Sequence, residues 1–247
     1  MSQLHAAVRA LAPTKGLLER VTSVPLALAH DFFPTHEYNG QAASGEEFRA
    51  LRTRLNHMQG QQKLHTLLVT SPAAGEGKSF AAMNLAMAEA QLDHNLTLLC
   101  DFDLRRPVIH HAFGISRSPG LSDYLRGQVG LPEAMHRIAD MNLYVLTAGE
   151  AVENPLELLH VEPVKQLFEQ LPNVFQWVIV DSPPLLFAAD ANMLSTLCDG
   201  TILVARVGET GVESIGHAVD SLCQNNVLGI VVNGVRGNQV YRKQRGY

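Results

Sequence analysis

Ser71–Ser79, read as SPAAGEGKS, is the stretch from which the rest of this chain is understood. An apolar run, Leu64–Thr70, precedes it, and an alanine-rich helical pattern begins near Lys78. Strand, glycine turn and helix in that order is the context a phosphate-binding loop needs. Gly75 and Gly77 allow backbone angles that turn successive N–H groups into one concavity. The start of the following helix adds a positive dipole end. Lys78 would reach the outer phosphates of a nucleotide, and the Ser79 hydroxyl would hold a magnesium ion. The strict pattern G-x-x-x-x-G-K-[ST] is not met, because Pro72 stands where its first glycine belongs. The bland alternative is a glycine turn ahead of an ordinary helix, so acidic strand ends elsewhere must decide.

Two such ends are present. Leu96–Asp103, LTLLCDFD, is an apolar strand closing on two aspartates, and Trp177–Asp181, WVIVD, closes on a third. Leu143–Leu146, Thr201–Val207 and Val227–Val232 read as further strands. Helical patterns lie between them, at Ala81–Ala90, Glu153–His160, Pro163–Leu171 and Val212–Asn225. Gly120–Gly127 and Leu131–Ala139 read as short helices or turns. Alternating strands and helices predict one α/β domain, a P-loop NTPase-type, mostly parallel sheet with helices on both faces. Ligands of such sheets sit beyond the carboxyl ends of the strands. The glycine turn, Asp101, Asp103 and Asp181 should therefore share one site. If strand geometry continues through Asp103, Asp101 and Asp103 point the same way. Three carboxylates beside a triphosphate make a Mg²⁺ site, since that ion takes oxygen ligands and retains water. Phosphoryl transfer then needs positioning, charge neutralisation and a base.

Composition narrows the class. A chain of 247 residues with 46% hydrophobic content supports one sizeable core. A formal charge of −5 and a pI near 6.1 argue against a broad nucleic-acid surface. Cys100, Cys198 and Cys223 are widely spaced in apolar patterns, which suggests neither a disulfide framework nor a zinc site. His110 and His111 are adjacent but lack the partner pattern of a metal centre. No apolar run approaches the roughly 20 residues of a membrane span, and the N-terminus lacks a signal-peptide pattern. The expected location is therefore cytoplasmic, with any membrane attachment supplied by a partner.

Residues 1–39 read as an N-terminal extension, with short helices at Leu4–Leu11 and Leu17–Val21 interrupted by Pro13, Gly16 and Pro25. The nucleotide domain is expected over 40–235, and a flexible tail over 236–247. Ser44–Met58 is an amphipathic helix: Phe48, Leu51 and Leu55 form its apolar stripe, and Glu46, Arg49 and Arg52 recur every third residue beside it. Alone, that charged row is an ordinary solvated face. The tail, RGNQVYRKQRGY, is basic and polar and carries Tyr241 and Tyr247.

These motifs together resemble the bacterial tyrosine kinases, and more closely the cytoplasmic tyrosine autokinases of capsule and exopolysaccharide production. The resemblance runs from about Ser44 to the C-terminus. It rests on Ala74-Gly75-Glu76-Gly77-Lys78-Ser79 against the family's "PGEGKS", on Asp101-Phe102-Asp103-Leu104-Arg105-Arg106-Pro107 against "DxDLRRP", and on Asp181-Ser182-Pro183-Pro184 against "DSPP". The second motif is the most specific, since related ATPases usually lack Leu-Arg-Arg-Pro. Glu46, Arg49 and Arg52 also match the family's ring-assembly helix. The resemblance implies ATP and Mg²⁺ as cofactors and phosphorylation of tail tyrosines, here Tyr241 and Tyr247, on a neighbouring subunit. It implies nucleotide contacts along Ala74–Phe80, with Asn233 near the base, and Lys78, Asp101 and Asp103 in catalysis. It assigns metal contacts to Ser79, Asp103 and Asp181. Its partners would be further copies in a ring, a membrane-spanning chain-length regulator and a phosphotyrosine phosphatase. Three positions depart from the family: Ala74 replaces proline, Phe80 replaces a small hydroxyl residue, and the tail has two tyrosines rather than a cluster.

Two alternatives stay open on the sequence alone. Switch ATPases that position chromosomes or the division site carry a second lysine five residues before the loop lysine, where this chain has Ala73. A nucleotide-bound scaffold without transfer activity is the other, and the sparse tail tyrosines leave it open.

Overall fold

A computed structural model describes residues 14–29, 37–38, 41–159, 162–187, 189–222 and 226–235. Ten strands are described: β1 (Thr22–Val24), β2 (Glu37–Tyr38), β3 (Gln41–Ala42), β4 (Thr66–Thr70), β5 (Thr97–Asp101), β6 (Met135–Ile138), β7 (Leu143–Leu146), β8 (Trp177–Asp181), β9 (Gly200–Arg206) and β10 (Val227–Asn233). The helices between them are α1 (Thr14–Leu18), α2 (Ala43–Gln59), α3 (Lys78–Ala90), α4 (Ile109–Phe113), α5 (Leu121–Leu125), α6 (Leu131–Ala134), α7 (Pro155–Leu159), α8 (Glu162–Gln170), α9 (Ala189–Leu197) and α10 (Val212–Ser221).

Eight of the strands form one sheet in the order β1-β6-β7-β5-β8-β4-β9-β10, and β2 and β3 form a separate hairpin. All neighbours in the large sheet are parallel except β6 and β7. The central strands read as near-continuous apolar runs because both faces are covered. On one face Phe48, Leu55, Met83 and Leu85 of α2 and α3 pack on Leu67, Val69, Leu99 and Trp177. On the other, Leu167, Phe168 and Leu194 of α8 and α9 pack on Leu68, Leu98, Val178 and Val180. The alanines of α3 let it lie close on the sheet, and eight of its residues are buried.

The structure corrects three local expectations. The stretch assigned to an extension contributes β1, which pairs with β6 from Thr22↔His136 to Val24↔Ile138, so part of it belongs to the sheet. A three-residue edge strand carries too little pattern to be read. Helix α1 runs through Gly16 and ends at Leu18, held by the burial of Leu17. Leu131–Ala139 divides into a single helical turn and then β6, whose buried Met135 and Ile138 face the core. Leu4–Leu11, Cys223, Tyr241 and Tyr247 lie outside the described residues.

Candidate active site

The loop between β4 and α3 takes the form its glycines allow. Gly75 and Gly77 have φ of 86° and 97°, in the left-handed region where a side chain is disfavoured. Gly77 is also crowded, because a Cβ there would stand 1.9 Å from Asn233 Nδ2. Gly77 is the N-cap of α3 and offers no side-chain cap, which leaves the first N–H groups of a 13-residue helix facing the loop.

Strand order brings the acids to this loop. β8 lies between β4 and β5, and Asp101 and Asp181 are paired across β5 and β8. Lys78 Nζ donates to Asp103 Oδ2 at 2.8 Å and to Ser79 Oγ at 3.1 Å, and stands 3.6 Å from Asp181 Oδ1. The strand ends at Asp101, so the two acids of the DFD triplet diverge in use. Asp101 Oδ1 accepts from the Asp103 N–H and Oδ2 from the Ile109 N–H, both at 3.2 Å, which ties down its own loop. Asp103 accepts from the Arg106 N–H with Oδ1 and turns Oδ2 to Lys78. Phe102, between them, is buried against Phe168.

The electrostatics leave this pocket short of positive charge. Burial lowers the Lys78 ammonium pKa, but Asp181, Asp103 and Asp101 outweigh it and the net shift is upward. Burial raises Asp101 to about 8, with Asp181 adding to the rise and Ile109 and Lys78 opposing it. Burial also raises Asp181, against the pull of Lys78 and the nearby Ser79 hydroxyl. Neither Asp181 oxygen accepts a well-formed hydrogen bond, although both are fully buried. A buried carboxyl short of donors, next to a hydroxyl and a second carboxylate, fits a hard divalent cation. Among the described residues no group of three His, Cys, Asp or Glu side chains is arranged to hold a metal ion by itself.

The remaining residues singled out from sequence have varied surroundings. The Phe80 ring packs edge-on against Phe48 at 5.8 Å, joining α3 to α2. Asn233 donates to the Glu76 carbonyl at 3.0 Å. Glu46 and Arg49 form an exposed pair at 3.0 Å, whereas Arg52 donates to the Ala88 carbonyl at 2.7 Å and is partly committed within the chain. Sequence reasoning missed Arg206 and Thr210, which brace the loop from the end of β9. It also missed Asp190, buried and 3.1 Å from Arg105 of the second motif. No local pattern marks them, since these contacts span 85 residues or more.

The fold and this constellation define a phosphate-loop, nucleotide-binding α/β protein. No family model matches the chain. It is 34% identical over 196 residues to the tyrosine-protein kinase YwqD of Bacillus subtilis, covering 78% of this chain and 82% of that one. It is 32% identical over 202 residues to the tyrosine-protein kinase ptk of Acinetobacter johnsonii, but spans only 27% of that longer protein. The kinase domain of the Escherichia coli tyrosine kinase ETK superposes with a TM-score of 0.76 at 29% identity, over 91% of this chain and 95% of that one. The chain belongs to the bacterial tyrosine-protein kinase family.

Proposed function

We propose that this protein transfers the γ-phosphoryl group of ATP to tyrosine hydroxyls of neighbouring copies, with Tyr241 and Tyr247 as acceptors, in the control of exopolysaccharide or capsule synthesis. The observation that carries the reading is the Lys78 ammonium, held on Asp103 and Asp181 beside the uncapped start of α3. Backbone N–H groups of Ala74–Phe80 cradle the phosphates, and Lys78 neutralises charge on the transferred group. Ser79, Asp103 and Asp181 would hold Mg²⁺, whose contribution when bound is to offset charge on the phosphate oxygens. Asp103 is the better-placed base, because one of its oxygens faces the pocket, while Asp101 shapes the loop that presents it. The bond between the γ-phosphorus and its bridging oxygen breaks as the phenol oxygen bonds to phosphorus. ADP leaves, and the phenol proton passes to the carboxylate.

Ala73, standing where the switch ATPases carry their second lysine, counts against that alternative. No helix among the described residues is long and apolar enough to cross a membrane. We assign membrane attachment to a spanning chain-length regulator, assembly to the Glu46–Arg49–Arg52 row, and reversal to a phosphotyrosine phosphatase. The reading is tested by incubating the protein with Mg-ATP, together with the regulator's cytosolic segment, and mapping phosphotyrosine by mass spectrometry. Modification of Tyr241 or Tyr247 that vanishes in Lys78→Met is expected. ATP hydrolysis with no phosphotyrosine would instead make the protein a switch ATPase.

A further inference from the structure

An acid inside an anion-binding loop is a puzzle, because its charge repels the phosphates the loop is built to hold. Glu76 is such an acid, and it is only 4% exposed. Its carboxylate does not point at the helix start. Oε2 accepts from the Ala73 N–H at 2.9 Å, and Oε1 accepts from the Thr210 hydroxyl at 2.6 Å. Thr210 Oγ1 in turn accepts from the Arg206 N–H at 2.7 Å, so its single proton is committed to Glu76. The Arg206 guanidinium donates to the Gly75 carbonyl at 2.9 Å, and the Asn233 amide to the Glu76 carbonyl at 3.0 Å. Asn233 is itself fixed by the Gly234 N–H, which donates to Oδ1 at 2.8 Å, and its own carbonyl accepts from the Val207 N–H at 2.9 Å. Both carbonyls of the Gly75-Glu76 segment are therefore drawn outward, towards the ends of β9 and β10. Turning a peptide's carbonyl outward turns the N–H on its other side inward.

We propose that Arg206, Thr210 and Asn233 form a clamp that acts through Glu76 and Gly75 to hold the phosphate loop in its nucleotide-accepting shape. These three are positioning residues; none is assigned contact with the reacting atoms. The inference rests on the nucleotide-binding reading above and adds what sets affinity at that site. Glu76 serves the site as a hydrogen-bonded strut, and Thr210 is the group that keeps this buried carboxylate partnered.

The test uses the full chain, Thr210→Val, Thr210→Ser and Arg206→Ala, with Mg-ADP carrying a fluorescent label as the probe. Valine keeps the shape of threonine and removes the hydroxyl, while serine keeps the hydroxyl. Arg206 is exposed, so its variant leaves the core intact. Thr210→Val is expected to raise Kd about tenfold, as for one lost hydrogen bond to a charged group. Thr210→Ser should stay near wild type, and Arg206→Ala should weaken binding several-fold. In phosphorylation assays the loss should appear in KM for ATP more than in kcat, which a general loss of stability would not produce. Wild-type affinity in both Thr210→Val and Arg206→Ala would overturn the clamp and leave the nucleotide site standing. Weak binding in Thr210→Ser equal to that in Thr210→Val would also overturn it, since the hydroxyl would then be irrelevant. Failure of the wild-type chain to bind the probe would remove both the clamp and the reading beneath it.

Discussion

Replacing Glu89 with glutamine should make the protein more stable than wild type at alkaline pH and leave it nearly unchanged in acid. Glu89 sits near the end of α3 and is 1% exposed. Its carboxyl accepts from Asn56 Nδ2 at 2.9 and 3.1 Å and from Asn95 Nδ2 at 3.1 Å. Burial raises its pKa from 4.5 to about 7, against these hydrogen bonds and the Arg52 charge, which all lower it. Below 4.5 the group is protonated in both folded and unfolded chains and costs nothing. As pH climbs from 4.5 to about 7, the unfolded chain has released its proton while the folded chain retains it, so stability falls. That interval, at about 1.4 kcal/mol for each pH unit, amounts to roughly 3 kcal/mol. Glutamine removes the titration and can keep an oxygen towards both asparagine amides. For a chain of this size the gain corresponds to about 6–12 °C in Tm. Trp177, the single tryptophan, reports on this region because it is buried and donates from Nε1 to Asn56 Oδ1 at 3.1 Å. Thermal unfolding followed by its emission should show the variant and wild type close together at about pH 4 and separated by several degrees at about pH 8.5. A separation that is the same at both pH values would refute the raised pKa of Glu89.

Gly77→Ala should lower stability by more than the roughly 1–2 kcal/mol of a left-handed non-glycine residue, because its Cβ also meets Asn233. Adding Asn233→Ala should recover only the excess, and thermal unfolding of an unimpaired Gly77→Ala would contradict this. Burial, reinforced by Asp101 for Cys100 and by Asp199 for Cys198, pushes both thiols upward in pKa. Neither should react with iodoacetamide in the native chain, while both should react in urea; mass-mapped labelling of native Cys100 would be the contrary result. If copies assemble through the Glu46–Arg49–Arg52 row as proposed, Arg49→Glu should lower the mass seen in light scattering, and an unchanged mass would remove that role from α2. Arg49 is the better probe than Arg52, whose reversal also breaks its bond to Ala88.

The sheet was legible because each central strand announces itself twice, by an unbroken apolar run and by the polar or acidic residue that closes it. LTLLCD, WVIVD and the run before SPAAGEGKS show both marks, and all three end at the site. Asp103 and Lys78 meet because strand order and the loop-to-helix turn fix their approach. Other features had no local cause to read. β1 is three residues stabilised by a partner more than a hundred positions away. Gly16 lies within a helix because Leu17 is buried, a tertiary reason. The divergence of Asp101 from Asp103 depends on the strand stopping one residue before Phe102, and a period of two cannot foresee its own end. Arg206 reads as a strand end and Thr210 as a turn residue until β10 and the phosphate loop are beside them.

Isothermal calorimetry of Mg-ATP against the wild-type chain and Lys78→Met is the most direct test that one pocket unites the loop and the acids. One nucleotide taken up per chain, weakened when the metal is chelated and lost with the ammonium of Lys78, is the expected result. Heat that is absent in the wild type, or equal in the two proteins, would contradict the claim that this loop and these acids form one nucleotide site.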